Sequence, residues 1–157
     1  MSKERTFTIF DLNDPNKDIC LKLNDCNDES AIISELTDIL SDVNENETFS
    51  SMVLYYLRSK HLSSRDMYER AFIDRRLIHK IIRNPKYHPS KKTVFALCIA
   101  FELNYFESLE LLGLASYSFA TNSRNDMILK YFFMKGIYDI DLINSVLYHF
   151  RCPCIGE

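Results

Sequence analysis

The sequence predicts a mainly α-helical fold, and three observations carry that prediction. From Phe49 onward, apolar residues recur at helical spacing in one segment after another. Residues suited to helix N-caps (Ser63 or Ser64, Asp74, Ser90) stand where those segments begin. Three glycines and four prolines are too few for a turn-rich β-sandwich or barrel. A length of 157 residues suits one domain with a small appendage.

Residues 1–47 read as an acidic α/β segment, and 48–157 as the helical domain. Thr6–Phe10 and Ile19–Leu23 alternate like strands around a turn at Asp14-Pro15-Asn16. Asp28 caps a helix running through Val43, with Ile32, Ile33, Leu36, Ile39, Leu40 and Val43 on one face. Helices are then expected over Ser50–His61 and 63–71, the second turning Met67 and Ala71 inward. The next covers 74–84, ended by Asn84-Pro85 because proline disfavours helical geometry in the residue before it. Ser90 opens a helix whose body, Thr93–Leu103, is apolar nearly all round and so belongs in the core. Three more follow: Phe106–Ala115, Arg124–Lys135 with Gly136 as a left-handed cap, and Ile140–Phe150.

The segment 74–84 is the most informative. Wound at 100° per residue, it places Arg75, Arg76, His79, Lys80 and Arg83 within about 140° of arc. Leu77, Ile78, Ile81 and Ile82 fill the other side. One face can lock into a core while the other offers cations and hydrogen-bond donors, as a helix in the DNA major groove requires. The charge distribution agrees. Residues 1–47 carry four Lys/Arg against twelve Asp/Glu, whereas 58–92 carry eleven basic groups against three acids. Such a block points to a polyanionic partner.

Two short helices at 63–71 and 74–84, between a longer helix and a buried one, form the pattern of a helix-turn-helix. The run His61-Leu-Ser-Ser to Ile81, followed by His88-Pro-Ser-Lys-Lys-Thr-Val-Phe-Ala-Leu, resembles the lambda-repressor/Cro-like (XRE) helix-turn-helix. A closer resemblance spans Phe49 to Gly156. It is to the variant found stand-alone, or C-terminal to macro domains, in Firmicute-type bacterial proteins. Tyr68-Glu-Arg-Ala, Ile73-Asp-Arg-Arg, Pro89-Ser-Lys-Lys-Thr, Gly136-Ile-Tyr-Asp and Pro153-Cys-Ile-Gly carry it. The chain departs from the XRE pattern at Tyr68 (usually small), Phe72 (often glycine) and Ser64 (often glutamine). Tyr68 must either widen the separation of the two helices or point outward.

The resemblance implies an XRE-like five-helix core plus two C-terminal helices. It also implies a cytoplasmic, homodimeric transcription regulator that binds double-stranded DNA. Arg75, Arg76, His79, Lys80 and Arg83 would then read bases, and Ser64, Arg65, Lys86, Tyr87, Lys91 and Lys92 would meet the backbone. The dimer surface would be the last two helices or the N-terminal segment. The alternative is an adaptor, phage- or defence-related, whose same basic face binds an acidic protein surface. In either case, residues 11–47 are a candidate autoinhibitor of 58–92.

Other chemistry is not expected. Cys152-Pro-Cys154 lacks a second pair to complete a zinc site, so neither metal nor cofactor is called for. An odd count of five cysteines without framework spacing suits a reducing compartment, and no signal peptide is expected at the start. Cys98 reads as core, and His61, His88 and His149 as surface or capping residues. The aromatics Tyr131, Phe132, Phe133, Tyr138, Tyr148 and Phe150 read as core or subunit interface. No phosphate loop, nucleophile motif or paired catalytic acids appear, so no enzyme is expected. The longest apolar run, Val94–Phe101, is too short to span a membrane.

Overall fold

The computed structural model describes residues 7–10, 18–21 and 28–156. It is mainly helical and divides into two units, residues 1–46 and 47–157. In the first, β1 (Phe7–Phe10) pairs antiparallel with β2 (Asp18–Leu21), Phe7 opposite Leu21. The turn expected at Asp14-Pro15-Asn16 lies outside the described residues. Helix α1 (Glu29–Ser41) begins at Asp28, whose carboxylate accepts from the Ser30 N–H at 3.2 Å. Its apolar residues Ile32, Ile33, Leu36 and Leu40, expected on one face, are exposed.

The second unit holds seven helices among its described residues. These are α2 (Phe49–Ser59), α3 (Ser64–Ala71), α4 (Arg75–Arg83), α5 (Lys91–Ala100), α6 (Tyr105–Leu114), α7 (Arg124–Lys135) and α8 (Ile140–His149). Thr48, Ser63, Asp74, Ser90, Asn104, Ser123 and Asp139 cap them, each side chain accepting from a first-turn N–H. That satisfies a donor that the helix itself leaves unpaired, worth about 1 kcal/mol per cap. In α3 the cap is reciprocal: the Ser63 N–H and hydroxyl both donate to Asp66 at 2.6 Å. Those bonds hold the Asp66 carboxyl below the usual carboxylate range.

Helix α5 is the centre. Every residue from Val94 to Leu103 except Glu102 is buried, and α3 and α6 both pack against it. Helix α2 rests on α4 and α6, α3 on α4, α6 on α7, and α7 on α8. The C-terminal helices share this core: Phe133 of α7 stacks on Phe95 of α5 with centroids 6.4 Å apart, and Phe119 bridges both rings. Of the aromatic group picked out from sequence, Phe132 and Phe133 are buried, whereas Tyr131, Tyr148 and Phe150 are exposed. Tyr138 is half-buried and donates its hydroxyl to the Leu103 carbonyl at 2.8 Å.

With so few glycines, the chain ends its helices in the left-handed region on ordinary residues, among them Phe72 at φ 55°. Such a residue costs on the order of 1–3 kcal/mol and persists only where its surroundings hold it. Here the Ile73 N–H reaches back to the Met67 carbonyl (3.4 Å), closing α3 in the manner of a Schellman turn. The C-terminal tail braces the same turn. Asn144 of α8 grips Ile155 through two bonds, 2.7 Å to its N–H and 3.0 Å to its carbonyl, and Ile155 is buried. Gly156 then meets the Phe72 side chain. A Cβ on Gly156 would lie 2.6 Å from Phe72 Cδ2 on a backbone at φ +85°. Gly156→Ala is therefore expected to lower stability by about 1–2 kcal/mol, from strain and a detached tail. Thermal unfolding checks this, and a midpoint within about 1 °C of wild type contradicts it.

Candidate nucleic-acid interface

The candidate surface is built on α4. Asp74 starts the helix by accepting from the Arg76 N–H at 2.6 Å. Ile78 and Ile81 are buried, Leu77 and Ile82 half-buried, so the apolar face lies against the core. Ser50 of α2 secures the far end: its hydroxyl donates to the Ile81 carbonyl at 2.7 Å inside the protein. That anchor was missed from sequence, although a serine between Phe49 and Val53 on the inward side of an amphipathic helix is a readable signal.

The opposite face is open. Arg75, Arg76, Lys80 and Arg83 are exposed and His79 half-exposed, so the five residues expected together do share one surface. Arg75 donates its Nε–H to His79 Nε2 at 3.1 Å, which makes the imidazole an acceptor and leaves the terminal guanidinium nitrogens for an outside group. The Arg76 and Arg83 side chains have no hydrogen-bond or ion-pair partner among the described residues. Lys80 Nζ lies 4.5 Å from the centroid of the Tyr87 ring, a cation–π contact that ties the helix to the following loop.

Around this face the flanking residues divide. Ser64 opens α3 and lines the cleft between α3 and α4, with Arg65, Tyr68, Glu69, Asp74 and Arg75. Arg65 pairs with Glu69 at 2.8 Å, a fully exposed contact whose hydrogen bond raises the arginine's affinity for its proton. Lys86 is exposed, and Tyr87 and Lys92 are half-buried. Lys91 departs from expectation: its ammonium is held by Asp126 of α7, a carboxylate that is 5 % exposed. Its charge is engaged in joining two helices rather than presented on the rim.

Tyr68 resolves its steric problem by pointing outward, 57 % exposed, with its ring edge-on to Phe72. Arg70, not singled out from sequence, donates to the Ala100 carbonyl (3.2 Å) and to Glu102 (2.9 Å), tying α3 to the end of α5. His88 takes a capping role, its Nε2 lying 2.9 Å from the Ala115 carbonyl after α6. Cys98 is buried, and burial pushes its thiol up to about 12, so it is an inert core residue. No group of three metal-ligating side chains occurs among the described residues, and no helix there is long and apolar enough to cross a membrane.

No protein-family model, no curated protein and no solved structure matches this chain. A rigid helix carries two arginines in its first turn, where the helix dipole already favours an anion. The planar guanidinium fork suits paired acceptors, whether a guanine edge, a phosphate or a carboxylate.

Proposed function

We propose that the chain is a DNA-binding transcription regulator of XRE-like helix-turn-helix type, with α3 and α4 as the motif and α4 in the major groove. The observation that carries this reading is α4 itself, whose apolar face is locked into the core while its cationic face is open. Arg75, Arg76 and His79 then read base edges, Lys80 and Arg83 reach further bases or phosphates, and Ser64, Arg65, Lys86 and Lys92 line the backbone. A homodimer fits this role, since a second recognition helix one DNA turn away (about 34 Å) supplies affinity and matches a palindrome. Met127, Tyr131 and Met134, exposed on one stripe of α7, suit its interface. The proposed setting is the cytoplasm.

The test is a salt titration of binding to random and genomic duplexes. Neutralising about five phosphates should give a slope of roughly −4 to −5 in log K against log salt. No binding to either duplex, or a slope near zero, overturns the proposal. A second reading is an adaptor for an acidic protein surface. It is favoured by Tyr68 and Phe72, which stand exposed beside the Arg65 and Arg75 cleft much as aromatic and arginine anchors do in protein interfaces.

A further inference from the structure

On α2 and α6 lies a pocket of about 430 Å³, lined by Glu47, Ser51, Met52, Tyr55, Tyr56, Glu107 and Glu110. It contains no basic side chain among its lining residues and three carboxylates. Glu107 and Glu110 are one turn apart on α6, a spacing at which like charges repel. One Glu107 oxygen is occupied by the Asn104 N–H at 2.8 Å, as part of the α6 cap, while the other is left to the pocket. Glu110 is half-buried, and burial first, then Glu47 and Glu107, raise its carboxyl above the usual range. An acidic cluster alone would be only a crowded surface.

The second observation is Tyr56. It is 6 % exposed, lines the pocket, and its hydroxyl has no hydrogen-bond partner among the described residues. Its oxygen is not sealed from solvent, so it is open to a donor from the pocket. Its phenolic oxygen can accept from an N–H donor placed between it and the glutamates. The neighbouring Tyr55 stands edge-on to it at 5.5 Å, giving the pocket two aromatic walls. Tyr56 already attracts an ammonium from outside, with Lys60 Nζ 5.9 Å from the ring centroid.

We propose that this pocket binds an organic cation, an alkyl guanidinium or ammonium, whose N–H groups donate to Glu47, Glu107, Glu110 and the Tyr56 oxygen while Tyr55 and Tyr56 flank its charge. The lining favours such a ligand over a bare metal ion. No three carboxylates among the described residues converge closely enough to ligate one ion, whereas aromatic rings suit a diffuse charge on carbon and nitrogen. The cation is either a free amine or the side chain of a peptide's arginine or lysine. This proposal is independent of what α4 touches.

Amide-resolved NMR titration of the full chain tests it, with agmatine and an acetyl-Ala-Arg-Ala-amide peptide as separate probes at constant ionic strength. Shifts are expected at residues 51–56 and 107–110, with Kd below about 1 mM. Whichever probe binds tighter by about tenfold identifies the source of the cation. Glu110→Gln should weaken binding at least about tenfold and the isosteric Tyr56→Phe about threefold, while the distant Asp141→Asn changes nothing. No shift with either probe up to about 10 mM overturns the site. So does equal weakening by Glu110→Gln and Asp141→Asn, which would mark general charge attraction.

Discussion

Arg75→Ala/Arg76→Ala is expected to reduce duplex affinity about 30-fold or more while leaving the protein slightly more stable. Each arginine that grips a base bidentately contributes about 1–3 kcal/mol, so losing two costs about 2–6 kcal/mol, a factor of about 30 or more. Stability should move the other way. Both residues are exposed and sit in the first turn of α4, where the positive end of the helix dipole disfavours cations. Replacing them with the best helix former relieves about 0.3–1 kcal/mol apiece. The chain thus carries an electrostatic penalty on this helix, which an anion on the α4 face would relieve. Fluorescence anisotropy with a labelled duplex, beside thermal unfolding, reads both changes. Undiminished affinity in the variant would sink the groove-reading assignment.

Lys91→Met should destabilise the fold by about 3 kcal/mol or more without changing the duplex affinity of the folded protein. Asp126 is almost wholly buried and accepts from Lys91, from the Ala120 N–H at 2.7 Å and from the Ser123 hydroxyl at 3.2 Å. Removing the ammonium leaves a buried carboxylate with only neutral donors, which typically costs about 3–5 kcal/mol. Lys91 is 30 % exposed, which places the expectation at the lower end. For a chain of this length that is a fall of about 10 °C in midpoint. Lys91→Met/Asp126→Leu should recover most of the loss, because an apolar pair needs no desolvation compensation. The measurement also separates two roles. A phosphate-contacting lysine would instead lower the salt slope by about 0.9 and leave the midpoint unmoved.

Much of the helical framework was legible because its signals are local. A cap such as Ser63, Asp74 or Ser90 acts within three residues of itself, and Gly136 ends α7 at φ 65° for a reason internal to the backbone. Even the missed starts had local signals. The expected start at Phe106 lies one residue late because Asn104 and Glu107 form a capping box that was there to be read. The basic face of α4 was legible for the same reason, since helical periodicity alone brings positions 75, 76, 79, 80 and 83 together. The exposure of the apolar face of α1 was not, because periodicity says which residues share a face and nothing about whether that face is covered.

Sequence by itself determined the helical class, the helix ends and the composition of each face, all consequences of interactions spanning a few residues. Tertiary structure decided the partners. It alone brought Lys91 to Asp126, Ser50 to the Ile81 carbonyl, Gly156 to Phe72 and the α6 glutamates to Tyr56. Those residues lie 31 to 35 positions apart in the first two cases, and their meeting depends on how whole helices pack. A lysine that looks free in the chain can therefore be committed in the fold, because a charge goes where a buried counter-charge most lowers its energy.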